Sequence, residues 1–290
     1  MSDTMRETFL ADARGIASRH ARLVRPGMGR VVKAAAIIGT MLAVYLAGAV
    51  VLDLSPLRVL RGLDRLSDLF ILMWPPLPAS WPRFLLYLDA LGQTLAIAFL
   101  GTLTAAMLAM PMAFIAARNV VANRILHVLS RRLLDGVRSI DTLIWALIWI
   151  NVVGLGPFAG ALAIACSDFG AFGKLMSEAI ETADRKSVDG ITAAGGSRLA
   201  AIRFGILPQV LPVFASQVLY FFESNTRSST IIGIVGAGGI GLHLSEMIRT
   251  MEWGEAASII LMVLVMVATI DVISTRVRRA IIGRAALPVA

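Results

Sequence analysis

The chain has 290 residues, of which 57% are hydrophobic and only 16% are charged, and its mean hydropathy is +0.78. Soluble domains are about 45–50% apolar and about 25% charged, so this composition excludes an ordinary soluble domain and indicates a membrane protein with several spans. The net charge of +8 does not indicate nucleic-acid binding, because the lysines and arginines lie in the segments between apolar runs.

The first 90 residues predict one membrane span between two surface segments. Residues 1–33 carry seven lysines and arginines and predict a basic cytoplasmic arm. The apolar run 34–52 is about the length that one transmembrane helix needs. Residues 53–90 predict an outer amphipathic connection, because leucines recur at helical spacing with charged residues between them. Trp74 and Trp81 suit a membrane interface.

Five further apolar runs predict the second to sixth spans. They cover residues 91–117, 140–153, 158–175, 210–234 and 256–273. Residues 118–138 predict a basic cytoplasmic connection between the second and third spans. With the N-terminus inside, 21 of the 27 lysines and arginines fall in cytoplasmic segments and 6 in outer segments. Because cytoplasmic loops carry an excess of positive charge, this count predicts cytoplasmic N- and C-termini.

The stretch from Asp189 to Pro208 is a long segment between two apolar runs that includes polar residues, and it reads DGITAAGGSRLAAIRFGILP. The pair Gly195–Gly196 predicts the end of a helix that starts near Asp189, since glycine disfavours the helix interior and permits left-handed turns. Pro208 suits the first turn of the next helix. The pattern predicts a helix, a turn and a second helix on the cytoplasmic side.

A polar run, FESNTRSST, interrupts the predicted fifth span at residues 222–230. Charged groups are costly inside a bilayer, so they usually face other helices or a water-filled path. Glu223 and Arg227 are four residues apart and share a helix face. Two interpretations remain open: an ion pair that fixes helix packing, or a face that lines the translocation path or its gate, with donors from Ser224, Asn225 and Ser228. Other polar residues in the spans, Asn151, Asp168 and Asp271, predict packing hydrogen bonds or span ends.

The glycine-rich stretch 233–241 contains the pattern GxGxxG. A dinucleotide site is excluded, because that fingerprint requires a preceding strand and a soluble βαβ unit. The stretch predicts a tight non-helical loop at the outer mouth, either a gating loop that includes Gly236, Gly238 and Gly239 or an inert turn. Cys166 is the only cysteine, so neither a disulfide framework nor a cysteine-based metal site is expected.

The stretch around Asp189 resembles the coupling loop of ABC-importer permeases. Asp189 stands at the family's glutamate position, Gly195 at its glycine, and Leu207–Pro208 at its end, whereas Gly190, Ile191 and Gly196 depart from the pattern. The resemblance implies that a short helix here contacts an ATPase subunit. The implied coupling residues are Asp189, Gly190, Ala194, Gly195, Ser197, Leu207 and Pro208.

Several stretches together resemble the permeases of phosphonate and phosphite-type ABC importers. They are VVGLGPFAGALA at 152–163, KLMSEAIE at 174–181, FGILPQVLP at 204–212 and FESNTRSSTIIGIVGAGGIG at 222–241. The resemblance implies an all-α type I permease fold of six transmembrane helices in a bacterial inner membrane. A permease domain is expected at 91–280, with its coupling loop at 185–208.

The same resemblance implies an import complex that works by alternating access. Its expected parts are a second copy of the permease, two ATPase subunits and a periplasmic or lipid-anchored phosphonate-binding protein. The chain has no P-loop pattern, so it is not expected to be an enzyme. ATP and magnesium are expected on the partner ATPase, and no cofactor or metal on this chain. The alternatives are a permease for methionine or another small solute, and an ion-coupled secondary transporter or channel.

Overall fold

The computed structural model describes residues 15, 28–121 and 123–285. These residues form ten helices, with Arg198–Ile234 counted as one, and no strand. Five helices are long and apolar enough to cross a membrane, and a sixth span exists if one bent pair of helices is counted as one. The chain divides into two compact units with the boundary after Ser67.

The first unit contains α1, Met28–Val51, and most of α2, Pro56–Leu72. Helix α1 begins six residues before the predicted start of the first span, so Lys33 is helical. Long basic side chains extend from a span toward the interface, which lets the helix continue past its apolar core. The rest of the predicted basic arm, apart from Gly15, lies outside the described residues. Helix α2 occupies the region where leucines at helical spacing predict an amphipathic helix.

Helix α3, Trp81–Ala116, is 36 residues long and begins ten residues before the predicted second span. The first ten residues of this helix, 81–90, therefore fall in the predicted outer connection 53–90. Pro82 stands in the first turn, where its missing N–H costs no hydrogen bond. Tyr87 and Ala90 are both 2% exposed, so this added part is packed like the rest of the helix.

Most of the predicted basic connection 118–138 is helical. Helix α4, Arg124–Arg138, is capped by Asn123, whose side chain accepts a hydrogen bond from the Ile125 N–H at 2.9 Å. Helix α5, Thr142–Val153, follows at a bend of 85°. Its 12 residues extend only about 18 Å, which is less than a full span.

Helix α6, Pro157–Thr182, packs along α3 through small residues. A Cβ placed on Gly101 would lie 2.7 Å from the Cβ of Ile164, and one placed on Gly160 would lie 3.2 Å from Ile97. Close approach of this kind is how membrane helices gain contact without a hydrophobic driving force between them. The remaining helices are α7, Arg185–Ala193; α8, Arg198–Ile234; α9, Ile240–Arg249; and α10, Trp253–Ala285.

Helix α8 begins at Arg198, and its long α-helical part, Leu207–Ile234, has Pro208 in its first turn. The segment Ala201–Ile206 is π-helical and comes immediately before Leu207 and Pro208. A proline removes one backbone donor and crowds the preceding turn, and a π-helical segment widens that turn. Pro208 therefore stands in the first turn of an α-helix, as the sequence predicts, but π-helical and helical turns from Arg198 precede it.

Candidate functional site

The predicted coupling segment forms the short helix α7, which starts earlier than the sequence suggests. Asp184 caps it, since its carboxylate accepts a hydrogen bond from the Lys186 N–H at 3.0 Å. Asp189, predicted to stand near the start, therefore lies in the middle of the helix and is exposed. Gly190 is also exposed there, and a Cβ on it would meet nothing within 4 Å.

Two glycines end α7 for different reasons. Gly195 has a φ of 81°, in the left-handed region that disfavours other residues, and its N–H donates to the Thr192 carbonyl at 3.0 Å. Gly196 lies against the helix, where a Cβ would stand 2.5 Å from Ile191 Cγ2. Ala194 and Ser197 border the turn and are exposed, and Ser197 then caps α8 by accepting a hydrogen bond from Ala200 N–H at 3.3 Å.

A glutamine of α8 holds α7 against the long helix. Gln209 Oε1 accepts a hydrogen bond from Asp184 N–H at 2.8 Å, and Gln209 Nε2 donates to the Asp184 carbonyl at 3.3 Å. The same Nε2 donates to the Gly205 carbonyl at 2.7 Å. Gly205 packs beneath Val188 of α7, with 3.2 Å between a placed Cβ and Val188 Cγ2. These contacts attach α7 directly to the start of α8.

The polar run of α8 includes a buried carboxylate with two cationic neighbours. Glu223 is 9% exposed. Arg278 of α10 donates a hydrogen bond from Nη2 to Glu223 Oε2 at 3.0 Å, whereas Arg227 Nη1 lies 3.7 Å from Oε1. The predicted pair of Glu223 and Arg227 is thus present, but its closer partner is Arg278. The Arg227 side chain is 54% exposed.

Asn225 lies in a buried contact between three helices. It is 5% exposed, and its Nδ2 donates to Asp168 Oδ2 of α6 at 2.5 Å and to Thr102 Oγ1 of α3 at 2.8 Å. The packing hydrogen bond predicted for Asp168 is therefore present. Ser224 and Ser228 are half-buried, and Ser228 Oγ donates to the Ser224 carbonyl at 3.4 Å.

The glycine-rich segment between α8 and α9 is a tight, packed loop, as its sequence predicts. Gly236, Gly238 and Gly239 have φ values of 102°, 82° and 73°. A Cβ on Gly238 would lie 2.7 Å from the Pro157 nitrogen. The Ile240 N–H donates to Thr94 Oγ1 at 2.9 Å, which attaches the loop to α3. Side chains at these glycines would be strained and, at Gly238, would also collide with α6.

Beside this loop lies an open cavity of about 440 Å³. Its polar lining includes Gln93, His243, Ser245 and Arg249.

At the other end of α8, Leu199 and Phe204 expose 78% and 64% of their surface close to α7. Among the described residues, no group of three or more histidines, cysteines or carboxylates is arranged to hold a metal ion.

The sequence pattern missed three of these residues. In the sequence, Arg278 is one of several arginines in the basic segment 276–290. Gln209 and Thr102 lie outside any polar run. The only available signal was their polarity at positions within or next to apolar runs.

The family model described as binding-protein-dependent transport system inner membrane component matches residues 109–286. The chain is 40% identical over 217 residues to the putative phosphite transport system permease protein HtxC of Stutzerimonas stutzeri, covering 75% of this chain and 76% of that one. It is 33% identical to the phosphate-import permease protein PhnE of Mycolicibacterium smegmatis, covering 83% of this chain and 45% of that one.

The fold is similar to that of a solved permease. An inward-facing structure of the MetNI methionine ABC transporter matches with a TM-score of 0.60 at 19% identity, covering 70% of this chain and 99% of that chain. At this level of identity the likeness establishes the fold alone.

Proposed function

This chain belongs to the family of binding-protein-dependent transport system inner membrane components, and we propose that it is the permease subunit of an ATP-driven importer for phosphite, phosphonates or a related phosphorus oxyanion. The observation that carries the substrate proposal is the 40% identity, over three quarters of both chains, to a protein named for phosphite transport. The other relative is named for phosphate import, so phosphate is the second candidate substrate.

In this proposal α7 is the contact for the ATPase subunit. The helix projects exposed polar residues, and the exposed Leu199 and Phe204 lie beside it. An apolar surface of this kind is suited to a protein partner. The coupling residues carry over as Asp189, Gly190, Ala194, Gly195, Ser197, Leu207 and Pro208. The partner binds ATP and magnesium, and this chain contributes movement rather than catalysis.

Closure of the ATPase would move α7, and Gln209 would pass that movement to α8. Because α8 is one helix from Arg198 to Ile234, a tilt at its start also moves the glycine loop at its far end. Gly236, Gly238 and Gly239 then act as the gate in alternating access, since their backbone conformations are open to few other residues. The packed contacts with Thr94 and Pro157 give this gate a defined closed position.

The proposed path runs along the exposed side of α8 at Arg227. Glu223 neutralises one of its two arginine neighbours, and Arg278 is the closer one. The exposed guanidinium of Arg227 then remains to attract an oxyanion, and Ser224 and Ser228 lie on the same helix as further donors. A cation half-exposed within a span needs a polar environment, which a second copy of the chain and a water path would supply.

Growth and uptake test the substrate class. Cells that lack this chain and all other phosphorus importers are supplied with phosphite, methylphosphonate or phosphate as the only phosphorus source, together with the pathway that oxidises the reduced compounds. We expect growth on phosphite or methylphosphonate only when the chain is restored. Restored growth on phosphate alone would replace the proposed substrate with phosphate.

A transport assay separates the importer from its rivals. The complex is reconstituted with its ATPase and binding protein, and uptake is measured with and without ATP. Uptake that depends on ATP and on the binding protein supports the proposal. Uptake driven by an ion gradient without ATP would instead favour a secondary transporter, and uptake of methionine would favour the amino-acid permease alternative.

A further inference from the structure

A cationic cavity of about 360 Å³ lies at the end of the bundle that carries α7, outside the proposed transport path. Arg118, His127, Arg131, Arg132, Asp135 and Glu181 line it. The cavity forms where the end of α3 meets α4 and α6. Asn119 fixes this junction by donating a hydrogen bond to the Ile180 carbonyl at 2.7 Å.

The two carboxylates of the cavity are already engaged. Glu181 forms an ion pair with Arg131 at 3.0 Å, and it accepts a hydrogen bond from the backbone N–H of Arg118 at 2.8 Å. Asp135 accepts from Lys174 Nζ at 2.6 Å. Arg132 lies 3.9 Å from Asp135 with 80% of its side chain exposed, and the Arg118 guanidinium has no ion-pair partner among the described residues. Two guanidinium groups therefore remain available for an anion.

Helix α4 has three distinct faces. Its buried face carries His127, Ser130 and Leu134, and Leu134 packs against Gly173 of α6. Its apolar face carries Ile125, Leu129 and Leu133, which recur every four residues and are 78%, 63% and 46% exposed. The third face carries Arg131 and Arg132, which line the cavity.

The bend after α4 relates these faces to the bilayer. Helix α5 turns away by 85° and is apolar apart from Thr142 and Asn151, which suits the membrane interior. Helix α4 then lies along the membrane surface, where a charged face and an apolar face on one helix are typical of interfacial binding.

We propose that α4 and its cationic cavity bind an anionic phospholipid. Arg118 and Arg132 bind the headgroup phosphate, and an acyl chain covers Leu129 and its apolar neighbours. Arg132 follows Ile125 by seven residues, or two helical turns, so the cationic and apolar faces meet at this edge. Basic pockets between membrane helices on the cytoplasmic side bind anionic headgroups, and arginine matches phosphate geometry with two parallel donors.

The apolar face distinguishes a lipid from a free anion. Inorganic phosphate would satisfy the two arginines but would leave Ile125, Leu129 and Leu133 uncovered. A phospholipid satisfies both surfaces at once, because its charged and apolar parts are adjacent. This site is independent of the transported substrate and of the proposed gate.

Native mass spectrometry of the full-length chain in a neutral detergent tests the proposal with phosphatidylglycerol as the probe. The double variant Arg118→Gln/Arg132→Gln should lower the affinity roughly tenfold or more, because two surface arginines are lost. Arg118→Lys/Arg132→Lys should keep most of the binding. Arg249→Gln, the same change at an exposed arginine of α9, should have no effect. Leu129→Gln should also weaken binding, since it introduces a polar group under the acyl chain.

Four outcomes would overturn the proposal. They are unchanged phosphatidylglycerol binding in the double variant, equal binding of phosphatidylcholine, displacement of the lipid by millimolar inorganic phosphate, and loss of the ATPase subunit from the purified complex while lipid binding is unchanged. The last outcome would make α4 a protein contact instead. The unfolding midpoint of each variant, compared with the parent chain, separates lost binding from lost folding.

Discussion

Arg278 donates a 3.0 Å hydrogen bond to Glu223 across 55 residues of sequence, and this bond joins the last helix to α8. The carboxylate is 9% exposed, so it depends on its cationic neighbours. Arg227 lies farther away and faces outward. The two arginines therefore have different surroundings: Arg278 lies against the buried charge, whereas the Arg227 side chain is 54% exposed.

The first prediction concerns the buried pair. Arg278→Gln should lower the free energy of unfolding by roughly 3 kcal/mol, because it leaves a buried carboxylate without its main partner. The double variant Arg278→Gln/Glu223→Gln should recover most of that loss, since no charge remains to be compensated. Thermal unfolding in detergent measures both. A double variant no more stable than Arg278→Gln would contradict the assigned role of the pair.

The second prediction concerns Arg227. Arg227→Gln should reduce oxyanion uptake roughly tenfold or more, the effect of losing a hydrogen bond to a charged group, while the complex still assembles. Arg227→Lys should retain part of the uptake, and Arg279→Gln is the control for an exposed arginine on another helix. If assembly and uptake fail together, Arg227 is structural. If both persist, it has neither role.

The third prediction exchanges the partners of a buried hydrogen bond. Asn225→Asp places a second carboxylate against Asp168, and we expect it to destabilise the chain by roughly 3 kcal/mol. Adding Asp168→Asn restores one amide and one carboxylate in the same space, so the exchanged pair should regain most of the stability. Unfolding midpoints of the two single variants and the double variant measure this. If the exchanged pair does not recover stability, the groups around each position, rather than the pair itself, require the amide at residue 225 and the carboxylate at residue 168.

The fourth prediction uses two glycines of the coupling segment as a matched pair. Gly195→Ala should cost about 1–2 kcal/mol, because Gly195 has a φ of 81° in the left-handed region. Gly190→Ala should be neutral or stabilising by about 0.5–1 kcal/mol, because Gly190 is helical and a Cβ there meets nothing.

Gly195→Trp should abolish transport while the complex still folds. Normal transport in that variant would contradict the coupling role.

Patterns in the sequence predict most of the spans, but their ends depend on contacts that no pattern contains. Residues 81–90 are predicted to belong to an outer amphipathic connection, because leucines recur at helical spacing with charged residues between them in the segment before. In the structure they form the first turns of α3, where Tyr87 and Ala90 are buried. Asp184 caps α7 five residues before the predicted start at Asp189. The hydropathy pattern does not predict the Asp184 cap, because a capping hydrogen bond depends on a few residues, whereas hydropathy averages over a long window.

The contacts of the candidate functional site could likewise be predicted from the sequence only in part. The glycine loop and the pairing of Glu223 with Arg227 follow from residue types and spacing. Arg278 does not, because its partner is 55 residues away and only the packing of α10 on α8 brings them together. The amphipathic α4 was assigned to a connection because its arginines are frequent, and its apolar face was overlooked.

The last prediction tests whether Gln209 transmits movement from α7 to α8. Its side chain makes two hydrogen bonds to the backbone of Asp184, which caps α7, and one to the Gly205 carbonyl within α8. Gln209→Ala should therefore leave α7 folded on its own cap but loosely attached. In the reconstituted importer we expect ATP hydrolysis to continue while the amount of substrate carried per ATP falls at least about fivefold, which corresponds to the ~1 kcal/mol that a single lost hydrogen bond contributes. Gln217→Ala, two turns farther along the same helix, is the control. An unchanged ratio of transport to hydrolysis would assign transmission to the packing of Gly205 against Val188, and Gly205→Ala would then be the variant that uncouples the two activities.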